Sequence, residues 1–157
     1  MITAPEAGLA VLPVRAGTSI VAIPVPQVSE IMRALPVEPF GGAPRFVAGL
    51  AIIRGRPTPV IHLHALLTDG PATPPPAGAR FVALRVAERH VALCVDAVLP
   101  LRTLDHRQLG TLPPLWQGGH PPAAALGALD RDLLILLEAT RLLPDGWSMP
   151  AETGGTA

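Results

Sequence analysis

His62 and His64, separated by one residue, carry the side chains of this sequence best suited to binding a metal. Residues two apart in a strand point to the same face, so both imidazoles could reach one ion. A complete site would need one or two further ligands. The available side chains are Cys94, Asp96, His90 and His120. None of them stands at a recognised metal spacing, so we predict no metal and no cofactor. The pattern favours two exposed or rim histidines, and a small metal-dependent enzyme is the weaker alternative.

A second candidate is Arg54, which directly precedes Gly55 between two apolar runs. Such runs, rich in β-branched residues and bounded by Gly and Pro, are typical of strands, so residues 47–63 predict a hairpin. The turn needs a residue that tolerates positive φ, and Gly55 supplies it. The turn does not need a long cation. A guanidinium there can bind carboxylates or carbonyls of a partner, and a solvated turn residue is the other interpretation.

Nucleophilic catalysis finds little support in the sequence. Serines are few, and neither a G-x-S-x-G element nor a G-x-x-x-x-G-K-[ST] phosphate loop occurs. The single cysteine, Cys94, lies in an apolar strand pattern, which is typical of a buried structural thiol. We therefore predict a protein that is not an enzyme.

Composition narrows the class of partner. The chain has 157 residues, 49% of them hydrophobic and 15% charged, and its net charge is zero. A neutral chain with few aromatic residues offers little to nucleic acid or to an anionic membrane. The sequence contains no apolar run long enough to span a bilayer, and its N-terminus lacks the pattern of a secretory signal. Together with the lone cysteine, these features predict a cytoplasmic protein.

The chain contains an internal repeat. Residues 11–31 align without a gap on residues 81–101, and residues 55–67 align on residues 131–143. Residues 68–79 separate the copies and have the Pro, Gly and Thr content of a linker. Each copy, about 11–67 and about 81–143, reads as short strands with Pro at their margins, which suggests a small curled sheet or barrel. Two such units would pack together and leave a groove at their junction.

Four segments resemble the CheW-like domain family. They are GLAIIRGRPTPVIHL, VPQVSEI, VALCVDAV and ALGALDRDLLILLEATRLL, in the family's order and spacing. The resemblance covers residues 8–144 as one domain and leaves residues 145–157 as a flexible tail. It implies an all-β fold of two intertwined, SH3-like, five-stranded barrels with short helices.

The resemblance also implies a function. It suggests a non-catalytic adaptor that couples the cytoplasmic tips of methyl-accepting chemoreceptors to the regulatory domain of a CheA-type histidine kinase. Such an adaptor would associate with receptor arrays without inserting into the membrane. An adaptor of a non-flagellar pathway, controlling pili or another output, is the alternative.

Residues that match the family's motifs become candidates for partner binding. The resemblance implies coupling roles for the pair Arg54 and Gly55, and it adds Gly49 at the start of the same strand. Positions near the receptor-binding groove are Val28, Glu30, Ile31, Val95 and Val98. A glycine at either hairpin position would act through backbone conformation, and Glu30 is expected at a rim or in an ion pair.

The sequence departs from the family at three positions. His62 and His64 replace the usual Asp and Arg, and Ile52 replaces an Asn that often precedes the Arg-Gly pair. These changes leave the strands intact but remove polar groups expected near Arg54. The partners of this chain can therefore differ from those of a typical chemotaxis adaptor.

Overall fold

The computed structural model describes residues 8–114 and 122–143. Short antiparallel hairpins dominate these residues, and each hairpin turns on two residues. The strands are β1 Leu9–Ala16, β2 Ser19–Pro24, β3 Val28–Arg33, β4 Val47–Ile53, β5 Arg56–His62, β6 Arg80–Val86, β7 Arg89–Val95, β8 Ala97–Val98, β9 Arg102–Leu104, β10 Leu109–Gly110, β11 Ala123–Leu129 and β12 Asp132–Leu137. One short helix, α1 (Leu63–Thr68), follows β5, and 3-10 turns occupy Val25–Gln27, His106–Gln108 and Ala139–Arg141.

The strands form two sheets, and each sheet takes strands from both halves of the chain. The first barrel has the order β10-β11-β12-β2-β1-β8, with β9 also paired to β1. The second barrel has the order β3-β6-β7-β5-β4. The chain crosses from the first barrel to the second after β2 and returns after β7. The predicted all-β fold of two intertwined barrels is therefore confirmed, although neither half of the chain forms a barrel alone.

Equivalent strands of the two halves hold equivalent places. Parallel pairing of β12 with β2 in the first barrel matches parallel pairing of β5 with β7 in the second. Val28 of β3 pairs with Leu84, and its repeat counterpart Val98 pairs with Val14. The counterpart of β3 is divided into β8 and β9, with Pro100 between them. Proline has no N–H to donate to a ladder, which accounts for the break.

Three apolar clusters stabilise this arrangement. Each barrel encloses one, around Ile20 and Leu134 in the first barrel and around Phe81 and Val60 in the second. The largest cluster draws on both sheets and joins the barrels. Burial of these side chains is the main favourable contribution to folding. Because the central cluster is shared, each barrel buries part of its apolar surface against the other.

Residues 68–79, predicted as a linker, pass from α1 to β6 along the second barrel. The backbone N–H of Ala72 donates to the carbonyl of Arg45 at 2.8 Å, and Arg45 bonds the carbonyl of Asp69. The linker is therefore attached to the first half of the chain at several points. The predicted tail (residues 145–157), Trp116 and His120 lie outside the described residues.

Candidate partner-binding site

The hairpin of β4 and β5 ends in a two-residue turn made of Arg54 and Gly55. Ile53 pairs with Arg56 across the turn, and both turn residues have positive φ, 54° and 75°. A tight hairpin turn of this kind matches the right-handed twist of its strands, and glycine tolerates it easily. An arginine in the left-handed region is uncommon. Strand β5 begins at Arg56, three residues before the apolar run that starts at Pro59.

Arg54 forms an ion pair with Glu30 of β3. Its Nε donates to Oε1 of Glu30 at 2.8 Å, and its Nη2 donates to Oε2 at 3.2 Å. The Arg54 side chain is 80% exposed and that of Glu30 is 29% exposed. The carboxylate therefore holds one edge of the guanidinium and leaves much of the group open to solvent. Two residues predicted separately for partner binding form one site.

The hydrogen bonds from Arg54 lower the pKa of the Glu30 carboxyl, and the same bonds raise the pKa of the Arg54 guanidinium. Both groups are charged at neutral pH. Exposed ion pairs contribute little to folding stability because water solvates and screens the separate charges. The pair holds the guanidinium in one direction at the end of the hairpin.

Gly49 is buried in β4 and presents no side chain to a partner. Its φ is 147°, and an added Cβ would lie 2.3 Å from the carbonyl oxygen of Glu38. Glu38 and Leu50 exchange two backbone hydrogen bonds here, at 2.8 Å and 2.9 Å. Only glycine permits this close approach, so Gly49 supports the Arg54 hairpin through the backbone.

The candidates on β3 and β8 lie at different depths. Ile31 is 45% exposed, on the face of β3 opposite to Glu30. Val28 and Val98, which are equivalent in the repeat, are partly buried against the cluster shared by the barrels. Ile31 can therefore contact a partner directly, whereas the two valines offer only part of their surface.

The CheW-like domain family model matches residues 10–146 of this chain. The chain belongs to the CheW-like domain family. Among solved structures it is similar to the scaffolding protein TtCheW from Thermoanaerobacter tengcongensis, with a TM-score of 0.75 and 17% identity. That match covers 90% of this chain and 92% of the other. No curated protein matches the sequence. This family membership agrees with the resemblance drawn from the four motifs.

Val95 does not belong to the exposed part of the site. It is 2% exposed and packs in the central cluster, where β7 lies between its neighbours β6 and β5. The run VALCV is apolar at every position because β7 is buried on both faces. The prediction that Val95 lines a binding groove is therefore wrong for this structure.

The two histidines do not share a strand, which removes the basis of the metal hypothesis. His62 ends β5 and caps α1, accepting a hydrogen bond on Nδ1 from the N–H of Ala65 at 3.1 Å. His64 lies inside α1, and its ring covers Gly17 so closely that a Cβ there would be 2.5 Å from Nδ1. In the part of the chain that the structure describes, no group of three acidic, His or Cys side chains could hold a metal.

Burial lowers the pKa of His62, and the neighbouring His64 lowers it further, against the opposing effect of the Asp96 carboxylate. A neutral His62 suits its contacts, because Nδ1 must accept from Ala65. Its Nε2 lies 3.2 Å from the hydroxyl of Thr73 in the linker. His62 therefore connects strand, helix and linker as a structural residue.

Cys94 is buried, as predicted, and burial raises the pKa of its thiol to about 11. A thiol with so high a pKa holds little thiolate at neutral pH and is a poor nucleophile. No helix among the described residues is long and apolar enough to cross a membrane.

An apolar surface beside the hairpin was missed by the sequence reasoning. Ile52 is 62% exposed, and with Leu50 and Pro57 it lines a cleft of about 340 Å³ next to Pro36 and Val37. The departure from the family at Ile52 was the available signal. The sequence comparison predicts only the loss of a polar group there, whereas the structure shows an exposed apolar side chain two residues before Arg54.

Proposed function

We propose that this CheW-like chain is a non-catalytic adaptor that couples chemoreceptors to a CheA-type histidine kinase in chemotaxis signalling. The observation that carries the proposal is the exposed guanidinium of Arg54, oriented by Glu30 at the tip of the hairpin of β4 and β5. Arginine is enriched among residues that dominate protein interfaces, where its planar fork bonds carboxylates and carbonyls. Membership of the CheW-like family supports the choice of chemoreceptors and a CheA-type kinase as the partners.

The surroundings of Arg54 have the character of a protein interface. Interfaces commonly combine an apolar centre with polar groups at the rim. The cleft at Ile52 supplies apolar surface on the same hairpin, two residues before Arg54 in the sequence. Exposed apolar patches of this kind mark contact sites on proteins that act in assemblies. We assign the kinase regulatory domain to this hairpin and the receptor tip to the β3 surface around Ile31.

This role implies a cytoplasmic location beside membrane-bound receptor arrays. An adaptor in a pathway that controls pili would use the same surface. The kinase that binds most tightly identifies the pathway, so regulatory domains from each chemosensory kinase of the organism should be compared.

The first prediction concerns Arg54→Ala. Loss of the exposed guanidinium should weaken binding of the kinase regulatory domain by at least about fivefold, because a central arginine at an interface contributes strongly. Titration calorimetry on the purified chain measures this affinity directly. Glu30→Gln should cause a smaller loss, since it leaves the guanidinium in place but without its carboxylate.

The matched control is Arg131→Ala. Arg131 is an exposed arginine in the turn between β11 and β12, which is the repeat counterpart of the Arg54 hairpin. This variant should bind normally. Unchanged affinity for folded Arg54→Ala, or an equal loss for both variants, would contradict the proposal.

A further inference from the structure

A second candidate site lies at the C-terminal end of β3. A cleft of about 610 Å³ opens there between the end of β3, the start of β6 and the proline-rich linker. Arg33 and Arg80 both line it, and Leu35, Pro36 and Pro75 supply apolar wall. The exposed face of β3 that carries Arg33 also carries Ile31, but the proposed adaptor function assigns no role to these two arginines.

The two arginines face each other across the ladder. Arg33 of β3 is the direct antiparallel partner of Arg80 of β6. Opposed residues of this kind place their Cβ atoms about 5 Å apart on one face, and two like charges there are unfavourable. No carboxylate among the described residues forms an ion pair with either arginine, since the ion pairs found use Arg15, Arg45 and Arg54.

Arg80 is held in position by its own backbone surroundings. Its Nη1 donates to the carbonyl oxygens of Gly78 at 3.1 Å and Ala79 at 3.2 Å. The remaining donors of the guanidinium stay available. A fixed cation beside a second cation is a suitable receptor for carboxylate oxygens.

The fold does not require charge at this place. The repeat equivalents of Arg80 and Arg33 are Ala10 and Thr103, which pair in the same way between β1 and β9. One barrel therefore closes the same ladder with two uncharged residues. The arginine pair is a property of this cleft and not of the architecture.

We propose that this cleft binds an acidic segment of a protein partner through its carboxylate side chains. Three of the ten lining residues, Pro36, Pro75 and Pro76, have no N–H, which reduces the number of backbone donors available to a small oxyanion such as phosphate. The apolar walls fit the aliphatic parts of a peptide on either side of its carboxylates. The shape and the charge together favour an extended acidic peptide.

The test is a titration of the isotopically labelled full chain with a capped peptide of four glutamates, followed by NMR. Amide shifts should concentrate on residues 33–35 and 77–80. A peptide of four glutamines should produce none, and raising NaCl to about 0.5 M should remove most of the effect through screening. Inorganic phosphate at the same concentration should shift these amides far less.

Arg33→Ala should weaken peptide binding by at least about threefold, as expected for loss of one exposed charge contact. Arg33→Gln serves as a second variant that removes the charge but keeps a polar side chain, and it should weaken binding to a similar extent. Arg102→Ala, on the exposed strand β9, is the control and should bind normally. Arg54→Ala should also bind the peptide normally, which separates this site from the proposed kinase surface.

Shifts spread over the surface, shifts centred on Arg54, or an equal loss in Arg102→Ala would overturn the proposal. So would phosphate binding as tight as that of the peptide. Failure of Arg54→Ala to affect kinase binding would leave this result intact, because the two experiments use different residues and different ligands.

Discussion

Single residues in this protein divide into those that present a surface and those that hold it in place. Arg54 presents a cation, and Gly49 lets the backbone of Glu38 approach the same hairpin. The motif comparison placed both among the partner-binding candidates, because a motif records that a residue type recurs but not why. The structure distinguishes the exposed cation of Arg54 from the purely conformational role of Gly49.

Gly49→Ala should destabilise the protein by about 1–3 kcal/mol, since it forces an alanine into strained backbone and against the Glu38 carbonyl. Chemical denaturation measures the loss of unfolding free energy, provided that its dependence on denaturant concentration has the same slope in both proteins. Gly42→Ala is the matched control, because Gly42 also has positive φ but has nothing within 4 Å of an added Cβ. An equal loss of stability in both variants would show that the contact with the Glu38 carbonyl does not contribute to the destabilisation.

The sequence alone could place Arg54 and Gly55 in a hairpin turn, because such a turn is recognised from the few residues between two apolar runs. It could not indicate the partner of Arg54. Glu30 lies on a strand from which the hairpin is separated by a long connection, and no local periodicity joins the two. Val95 shows the opposite failure, because an apolar strand buried on both faces reads the same as one that lines a groove.

At the scale of elements, the junction of β5, α1 and the linker depends on His62. The pattern H-x-H suggested two histidines on one strand, but the strand ends at His62 and the helix begins with Leu63. An imidazole that accepts from an N–H at the helix start acts as a cap. Short capped helices of this kind escape periodicity arguments because they make fewer than two turns.

The role of His62 predicts a dependence of stability on pH. Because folding lowers the pKa of His62, its contribution is present above its unfolded pKa of about 6.5 and is lost as the pH falls toward its folded pKa. His62→Asn should keep the cap through a neutral acceptor and should lose less stability between about pH 7 and pH 5. Thermal melts of both proteins across this range measure the difference. Parallel pH profiles for the two proteins would contradict the prediction.

The apolar surface at Ile52 belongs to the same scale. Strand β4 alternates between buried and more exposed positions, yet both of its faces carry apolar residues. A sheet surface that contacts a partner and a sheet surface that contacts the core then look alike in sequence. The exposure of Ile52 depends on the position of β4 at the edge of its sheet, which the sequence pattern does not specify.

At the scale of the whole molecule, the internal repeat predicted two similar units but not their exchange of strands. The alternation of apolar residues fixes which face of a strand is buried, but it does not specify the neighbouring strand. The family resemblance supplied the intertwined arrangement. The register of β2 with β12 and of β7 with β5 shows how it is made.

The exchange predicts that the halves depend on each other. Fragments 1–73 and 74–157 should each lack a cooperative thermal transition, because the strands that would complete each barrel lie on the other fragment. Mixing the two should restore a strand-rich circular dichroism spectrum and a cooperative melt. A cooperative melt for either fragment alone would contradict this prediction.

The pairing of β2 with β12 also sets the order in which the two barrels can form during synthesis. All strands of the second barrel have emerged once Val95 has left the ribosome, so this barrel can form before translation ends. The first barrel begins with the earliest strands but must wait for β12, since Ile20 pairs with Leu134. The hairpin of β1 and β2 therefore spends most of translation without its final neighbours, and its apolar side chains are the ones that a nascent-chain chaperone would meet.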